Sequence, residues 1–197
     1  YTFAGLVVYL VSVLVMMPAE PVLEWGAPRL KEQGVTLAAN GVQGTVWSGK
    51  AATLSVNGVP LGGADWEVSP LQMLLGRIGV RWQLEPDGGQ LSGDLTASSG
   101  EVRLANVEGR LPAARFIGQD VAIPVQIDGE ISARMERVTI LASKISQAQG
   151  TVLWSDAAVT APMQLALGDL RMELSTADDG NIVGDVSDGG GPLEVSG

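Results

Sequence analysis

Gln43-Gly44-Thr45-Val46-Trp47-Ser48 returns later in the chain as Gln149-Gly150-Thr151-Val152-Leu153-Trp154-Ser155, with one residue inserted. Around both copies apolar residues alternate with polar or small ones, the period of a strand that buries one face. The same period runs through Ala52-Thr53-Leu54-Ser55-Val56, Val80-Arg81-Trp82-Gln83-Leu84, Leu91-Ser92-Gly93-Asp94-Leu95 and Val102-Arg103-Leu104. Thr45-Val46-Trp47 itself reads as a strand. Asn40-Gly41, Asn57-Gly58, Asp87-Gly88 and Asp179-Gly180 separate such runs, and these dipeptides tolerate the positive φ of tight hairpin turns. Connections this short imply antiparallel pairing. Glycine at 26 of 197 residues, with aromatics at only 5%, favours many short strands and turns over a helical bundle.

Two further pairs of blocks follow in the same order. Leu61-Gly62 with Glu67-Val68-Ser69 matches Leu167-Gly168 with Glu173-Leu174-Ser175, and Gln90-Leu91-Ser92-Gly93-Asp94-Leu95 matches Asn181-Ile182-Val183-Gly184-Asp185-Val186. Conserved order argues for duplication rather than chance similarity of Gly-rich strands. The division predicted is a first β repeat over 35–111, a connecting segment over 112–147 and a second β repeat over 148–197. Ile127 to Ile140 carries Ile127, Gly129, Ile131, Ala133 and Met135 on one face, which predicts a long strand joining the halves. Gly93, Gly129 and Gly184 would ease bending of such a sheet. The fold expected is mainly β: one curved antiparallel meander of two duplicated halves. One short helix interrupts it near 70–76, with Ser69 as N-cap, Pro70 in the first helical position, Gly76 as terminator and Leu/Met side chains covering an open end of the sheet.

Mean hydropathy is positive at +0.23 although the chain is acidic, and the start of the chain accounts for much of that. Tyr1 to Ala19 carries no charge, Glu20 is the first charged residue and Arg29 the first basic one. Residues 1–17, with Leu6, Val7, Leu10, Val13 and Leu14 among their apolar side chains, read as a membrane anchor. As a helix they would span roughly 26 Å, close to the lower limit for a hydrocarbon core about 30 Å thick. Without an initiator Met or a basic flank, the anchor is expected to be longer than the part seen, and the C-terminus is likewise expected to stop early. A cleaved signal peptide is the alternative, but Pro18-Ala19-Glu20-Pro21 is a poor cut site. Residues 18–34 read as an interfacial helix or linker, broken at Gly26-Ala27-Pro28, with Trp25 placed either at a membrane–water interface or simply buried.

With 12 Lys+Arg against 22 Asp+Glu, a net charge of −10 removes the counterion-release term on which nucleic-acid binding depends. The absence of His and Cys excludes Ser-His-Asp and Cys-His catalysis, thiolate and imidazole zinc sites, haem, iron–sulfur clusters and disulfides. Asp178, Asp179, Asp185 and Asp188 lack the spacing of a calcium loop and suit solvated turns. Asp128 and Glu130 share a strand face, yet no nucleophile stands near them in sequence, and Lys31, Lys50 and Lys144 form no Ser-x-x-Lys motif. No catalysis, metal or cofactor is expected.

Gly41-Val42-Gln43-Gly44-Thr45-Val46-Trp47-Ser48-Gly49-Lys50-Ala51, then Trp66-Glu67-Val68-Ser69-Pro70-Leu71, and later Glu108-Gly109-Arg110-Leu111-Pro112 resemble the type II secretion system protein N family. The Gly-x-x-Gly-Thr-x-Trp-x-Gly block is the most specific of these. The residues carrying the motif and its internal copy are Gly44, Thr45, Trp47, Gly49, Trp66, Pro70, Gly150, Thr151 and Trp154. The resemblance implies a single-pass protein of the cell inner membrane with its β region in the periplasm, an accessory part of the machine that exports folded proteins. It implies other inner-membrane platform proteins and the secretin as partners, and leaves room for a homo-oligomer.

Trp47, Trp66, Trp82 and Trp154 would then either pack a core, as Trp in a sheet more often does, or line an apolar groove. An open meander also leaves strand edges to be covered or used, the segment Pro192 to Ser196 among them. Two functions follow: a structural component scaffolding contacts among secretion proteins, or a periplasmic lipid-binding or lipid-transfer module working through a concave apolar face. A closed, packed interior would favour the first and a long apolar groove the second.

Overall fold

A computed structural model describes residues 16–32, 34–116, 126–141, 144–161, 164–177 and 180–188. The chain divides into two compact units, 1–87 and 88–197. The anchor residues Leu6, Val7, Leu10, Val13 and Leu14 lie outside the described residues, as do Asp178, Asp179 and Pro192 to Ser196. No helix among the described residues is long and apolar enough to cross a membrane.

The first unit opens with helix α1 (Ala19–Glu32). It runs unbroken through Gly26 and Pro28, against the expectation of a break there. Pro28 has no N–H to bond the Glu24 carbonyl four residues back and its ring crowds that carbonyl, yet the helix continues to Glu32. Pro21 falls in the first turn, where N–H groups have no helical acceptor anyway. Five strands follow: β1 (Leu37–Asn40), β2 (Gln43–Gly44), β3 (Ser48–Val56), β4 (Val59–Ser69) and β5 (Ile78–Glu85). Both β1 and β2 pair antiparallel with β3, and β3, β4 and β5 pair in chain order. Asn57-Gly58 closes the β3–β4 hairpin with φ of 51° and 81°, the doubly positive turn its sequence predicts.

Between β4 and β5 stands helix α2 (Pro70–Leu74), with Pro70 in the first turn and Gly76 at φ 72° just past its end. Ser69 occupies the N-cap position without a side-chain cap bond. The expectation that this helix covers the sheet with its apolar residues is overturned: Leu71 is 70% and Leu75 73% exposed. Among the side chains described in this helix, Gln72 packs against Gly79.

The second unit is a meander of β6 (Gln90–Ser98), β7 (Glu101–Pro112), β8 (Gln126–Leu141), β9 (Lys144–Ala161), β10 (Leu165–Thr176) and β11 (Ile182–Asp188), each antiparallel to the next. A single turn of 3-10 helix, Ala113–Phe116, follows β7. The long strand expected over Ile127 to Ile140 is β8. Ala177 and Gly180 make the turn bonds of the β10–β11 hairpin; Asp185 and Asp188, read as turn residues, instead lie within β11, paired with β10.

The repeated blocks fall at β2–β3, β4 and β6 in the first copy and on the consecutive strands β9, β10 and β11 in the second, and their pairing differs. Gly44 faces Gly49 inside a tight hairpin, whereas its counterpart Gly150 stands mid-strand between Met135 and Leu174. In β3–β4 Ser48 faces Glu67, while in β9–β10 it is Thr151 that faces Glu173. The repeat therefore does not carry through to a common register.

The fully buried apolar residues among those described are alanines: Ala19, Ala51, Ala64, Ala113, Ala148 and Ala157. No large side chain among them is completely buried. The four strand-region tryptophans are half-buried, so the reading of Trp as core filler holds only in part.

Candidate functional site

The motif Gly44-Thr45-Val46-Trp47-Ser48-Gly49 builds a node in the first unit. It was expected to continue a strand through Thr45-Val46-Trp47, but the chain turns there. Gly44 adopts φ 93°, and a Cβ on it would stand 2.6 Å from the Ser48 carbonyl oxygen, so only glycine lets the two strands approach. The Thr45 N–H donates to the Ser48 carbonyl (2.9 Å), and the Ser48 N–H donates to Thr45 Oγ1 (3.2 Å), a side chain standing in for a backbone acceptor.

Two elements converge on this hairpin, the N-terminal segment and β4. The Val46 N–H donates to the Met17 carbonyl (3.0 Å) and Pro18 bridges to Thr45, fixing where the N-terminal segment meets the strands. The Val68 N–H donates to the Trp47 carbonyl (2.6 Å), tying in the end of β4. Gly49 faces Trp66, and a Cβ there would come within 2.5 Å of the indole Cζ2. The missing side chain is thus the seat of the Trp66 ring. Trp66 in turn faces Trp82 across β4–β5.

Trp66 also lines an apolar cavity of about 300 Å³ between α1 and the strands, together with Val22, Leu23, Leu37, Leu54 and Ala64. Helix α1 therefore packs on the sheet through its Ala19, Val22 and Leu23 side. The Trp25 side chain is outside the described part of the molecule.

The second copy of the motif does other work. Gly150 lies where a Cβ would stand 2.5 Å from the Arg134 carbonyl oxygen. Thr151 faces Arg134 and Glu173, and Trp154 faces Ile131 and Leu170. Trp154 Nε1 donates to the Asp128 carbonyl (3.0 Å), and a Cβ on Gly129 (φ 107°) would stand 2.8 Å from that nitrogen. Each unit thus holds a tryptophan against a glycine of the adjoining strand.

The second unit sorts its side chains largely by face, Leu153 being an apolar exception on the polar side. Cross-strand rows such as Leu91–Gly109–Ala133–Val152–Met172–Val186 fall on one side. Ser92–Glu108–Arg134–Thr151–Glu173–Asp185 falls on the other. The polar side forms an open hollow of about 920 Å³. Arg110 and Glu130 (3.2 Å), Arg134 and Glu108 (3.1 Å), and Arg171 and Glu173 (3.2 Å) pair on this face. All are largely exposed, so each pair contributes at most about 1 kcal/mol. Sequence reading passed over this face. The i, i+2 spacing of Glu108 with Arg110 and of Arg171 with Glu173 is the signal that marks it. The acidic pair considered for acid–base work is spoken for, since Asp128 Oδ1 accepts from the Gly129 N–H (2.8 Å) while Glu130 holds Arg110.

No group of three or more potential metal-ligating side chains gathers among the described residues. What the strands present is surface: an amphipathic meander, and a hairpin node binding the chain's entry segment to its first sheet. That is the class of an open antiparallel β-sheet protein.

Comparison with known proteins places it. Residues 35–197 match the family model described as Type II secretion system (T2SS), protein N, and the chain belongs to that family. It is 28% identical over 166 residues to a Type II secretion system protein N from Vibrio cholerae serotype O1 (strain ATCC 39315 / El Tor Inaba N16961), covering 79% of this chain. The chain spans 62% of that relative's length. No solved structure matches.

Proposed function

We propose that this chain is an accessory component of the type II secretion apparatus, anchored in the inner membrane through residues 1–17, with its β units in the periplasm scaffolding contacts between secretion proteins. Family membership supports the system. The closed, packed interior expected of a scaffold is not present among the described residues; what supports the contact role instead is the two-faced second unit, whose apolar rows are half-buried and include no fully buried large side chain. A protein surface of the machine, either an inner-membrane platform protein or the secretin, completes that burial. Photo-crosslinkers placed at Val152 or Met172 in intact envelopes test this directly. Capture of a secretion component is expected, and crosslinks confined to unrelated envelope proteins would refute it.

The same half-buried rows favour a second reading, a lipid-binding module in which acyl chains cover the apolar face. Native mass spectrometry separates the two. Stoichiometric lipid that stays bound after residues 1–17 are removed would replace the scaffold reading with the lipid one.

A further inference from the structure

Helix α2 and the residues after it shield a polar atom and leave apolar side chains exposed. Gln72 packs against Gly79, where its Oε1 is shielded from solvent without a hydrogen-bond partner. Leu71, Met73 and Leu75, with Ile78 at the start of β5, leave apolar side chains 70%, 44%, 73% and 48% exposed. In water this is the costly arrangement for both kinds of side chain. It suits a segment whose outer side does not face water.

The position of this loop says what it faces. Ser69 and Gly79 pair where β4 ends and β5 begins, Ser48 and Glu67 pair one step inward, and Val68 bonds to Trp47. Trp47 sits in the turn whose neighbouring residue, Val46, holds Met17. The exposed Met16 and Met17 (75% and 41%) therefore lie at the same end of the first unit as α2. It is also the end at which the uncharged segment 1–15 joins the described chain. The opposite end, at the Asn57-Gly58 hairpin, carries a single exposed large apolar side chain among the described residues, Val59.

Charge agrees. In a chain with 22 acidic residues, the stretch Pro70 to Ile78 contains none, and its one charge is the exposed Arg77. Apolar side chains beside a lone cation are the composition of a segment that seats in the headgroup region of a bilayer.

We infer that the α2 loop, through Leu71, Met73, Leu75 and Ile78, rests in the surface of a phospholipid bilayer as a second contact beside the N-terminal segment. The inference rests on the anchoring proposed above. It goes further in fixing which end of the first unit meets the membrane. A lone tether would leave the unit free to swivel; a second contact sets its orientation and so which faces point into the periplasm.

The chain contains no Cys, so a single introduced thiol gives a single label site. Leu75→Cys and, separately, Leu71→Cys carry an environment-sensitive fluorophore, with Val59→Cys as an equally apolar control at the far end. The full chain is reconstituted in phosphatidylcholine–phosphatidylglycerol vesicles containing spin-labelled lipid, and flotation is checked first. Labels at 71 and 75 should be quenched by headgroup-proximal spin labels about twofold or more beyond the label at 59, and should be shielded from aqueous iodide. Equal quenching at all three positions in a chain that floats with the vesicles overturns the inference while leaving the anchor in place. A chain that fails to float removes the anchor reading and this one with it. Shielding of 71 and 75 that appears only on adding other secretion proteins, without lipid quenching, assigns the loop to a protein partner and overturns the inference too.

Discussion

Gly49→Ala tests the reading of the motif as a seat for Trp66. The new Cβ would stand 2.5 Å from Cζ2 and 2.9 Å from Cε2 of the indole, and 2.7 Å from the Gln43 carbonyl oxygen. Carbon atoms in contact prefer about 3.5–4.0 Å, so the ring must retreat by roughly 1 Å. Either Trp66 lifts out of the cavity it shares with Val22 and Leu23, or the β2–β3 hairpin opens. Overpacking of this kind costs about 1–3 kcal/mol, and for a chain of this size about 2 kcal/mol corresponds to a fall in Tm of roughly 4–8 °C. Urea unfolding followed by tryptophan fluorescence measures it. Trp66→Ala supplies the decisive background, because with the ring gone only the approach to the Gln43 carbonyl remains. The cost of Gly49→Ala should then shrink by at least about 0.5–1 kcal/mol, the coupling expected of residues in contact. Gly58→Ala serves as the control: φ is 81° with nothing within 4 Å, so it is penalised by its backbone alone, by about 1 kcal/mol, in either background. An equal cost of Gly49→Ala with and without Trp66 would refute the seat.

Thr45→Ala should cost about 1 kcal/mol by leaving the Ser48 N–H without its side-chain acceptor, whereas Thr45→Ser should be close to neutral in the same unfolding assay. Gly129→Ala should destabilise the second unit by more than about 1 kcal/mol, since it combines a positive φ with a Cβ pressed on the Trp154 nitrogen; Trp154→Phe should lessen the loss. Arg134→Ala, on an exposed pair with Glu108, should change unfolding free energy by less than about 1 kcal/mol, and added salt should erase the difference. Leu71→Ser and Leu75→Ser should each move stability by less than about 0.5 kcal/mol, unlike a core leucine; a loss of several kcal/mol would show that these side chains are packed in the fold itself.

Alternation made much of the fold legible. Residues Val80 to Leu84, Leu91 to Leu95 and Ile127 to Ile140 each lie within the strand their period predicts, and Asn57-Gly58 makes the turn its residues favour. Failures came where a local signal met tertiary packing. Pro28 reads as a breaker, but one lost backbone bond does not outweigh α1 packing Val22 and Leu23 against the sheet. Val46 and Trp47 read as strand because period alone cannot register that Gly44 bends the chain and that Thr45 holds it bent. Leu71, Met73 and Leu75 read as a cover for the sheet because a hydrophobic residue is assumed to face inward. Their spacing of two on so short a helix gives no face to read, and the position of Gln72 between them decides the matter only once Gly79 is seen opposite. Of the motif, its glycines were legible as essential, but their purpose was not, since Trp66 reaches Gly49 only through the β3–β4 pairing.

The distribution of side-chain size ties these observations to function. The apolar side chains the units bury are alanines such as Ala51, Ala64, Ala148 and Ala157 rather than leucines, and the larger apolar residues of the second unit stay half-buried along its strands or, like Leu141, Ile145 and Leu165, exposed. A buried methyl group contributes only about 0.8 kcal/mol, so such a fold draws comparatively little from a core and much from long antiparallel ladders such as β7–β8–β9. Ladders hold strands in register whether or not their apolar face is covered. A sheet stabilised in that way can offer its apolar face to an occupant without unfolding when the occupant leaves, which a protein built around a closed core cannot do. A contact protein of a secretion machine needs that property, and so would a lipid module. The choice between them therefore turns on what covers Val152 and Met172 in the envelope.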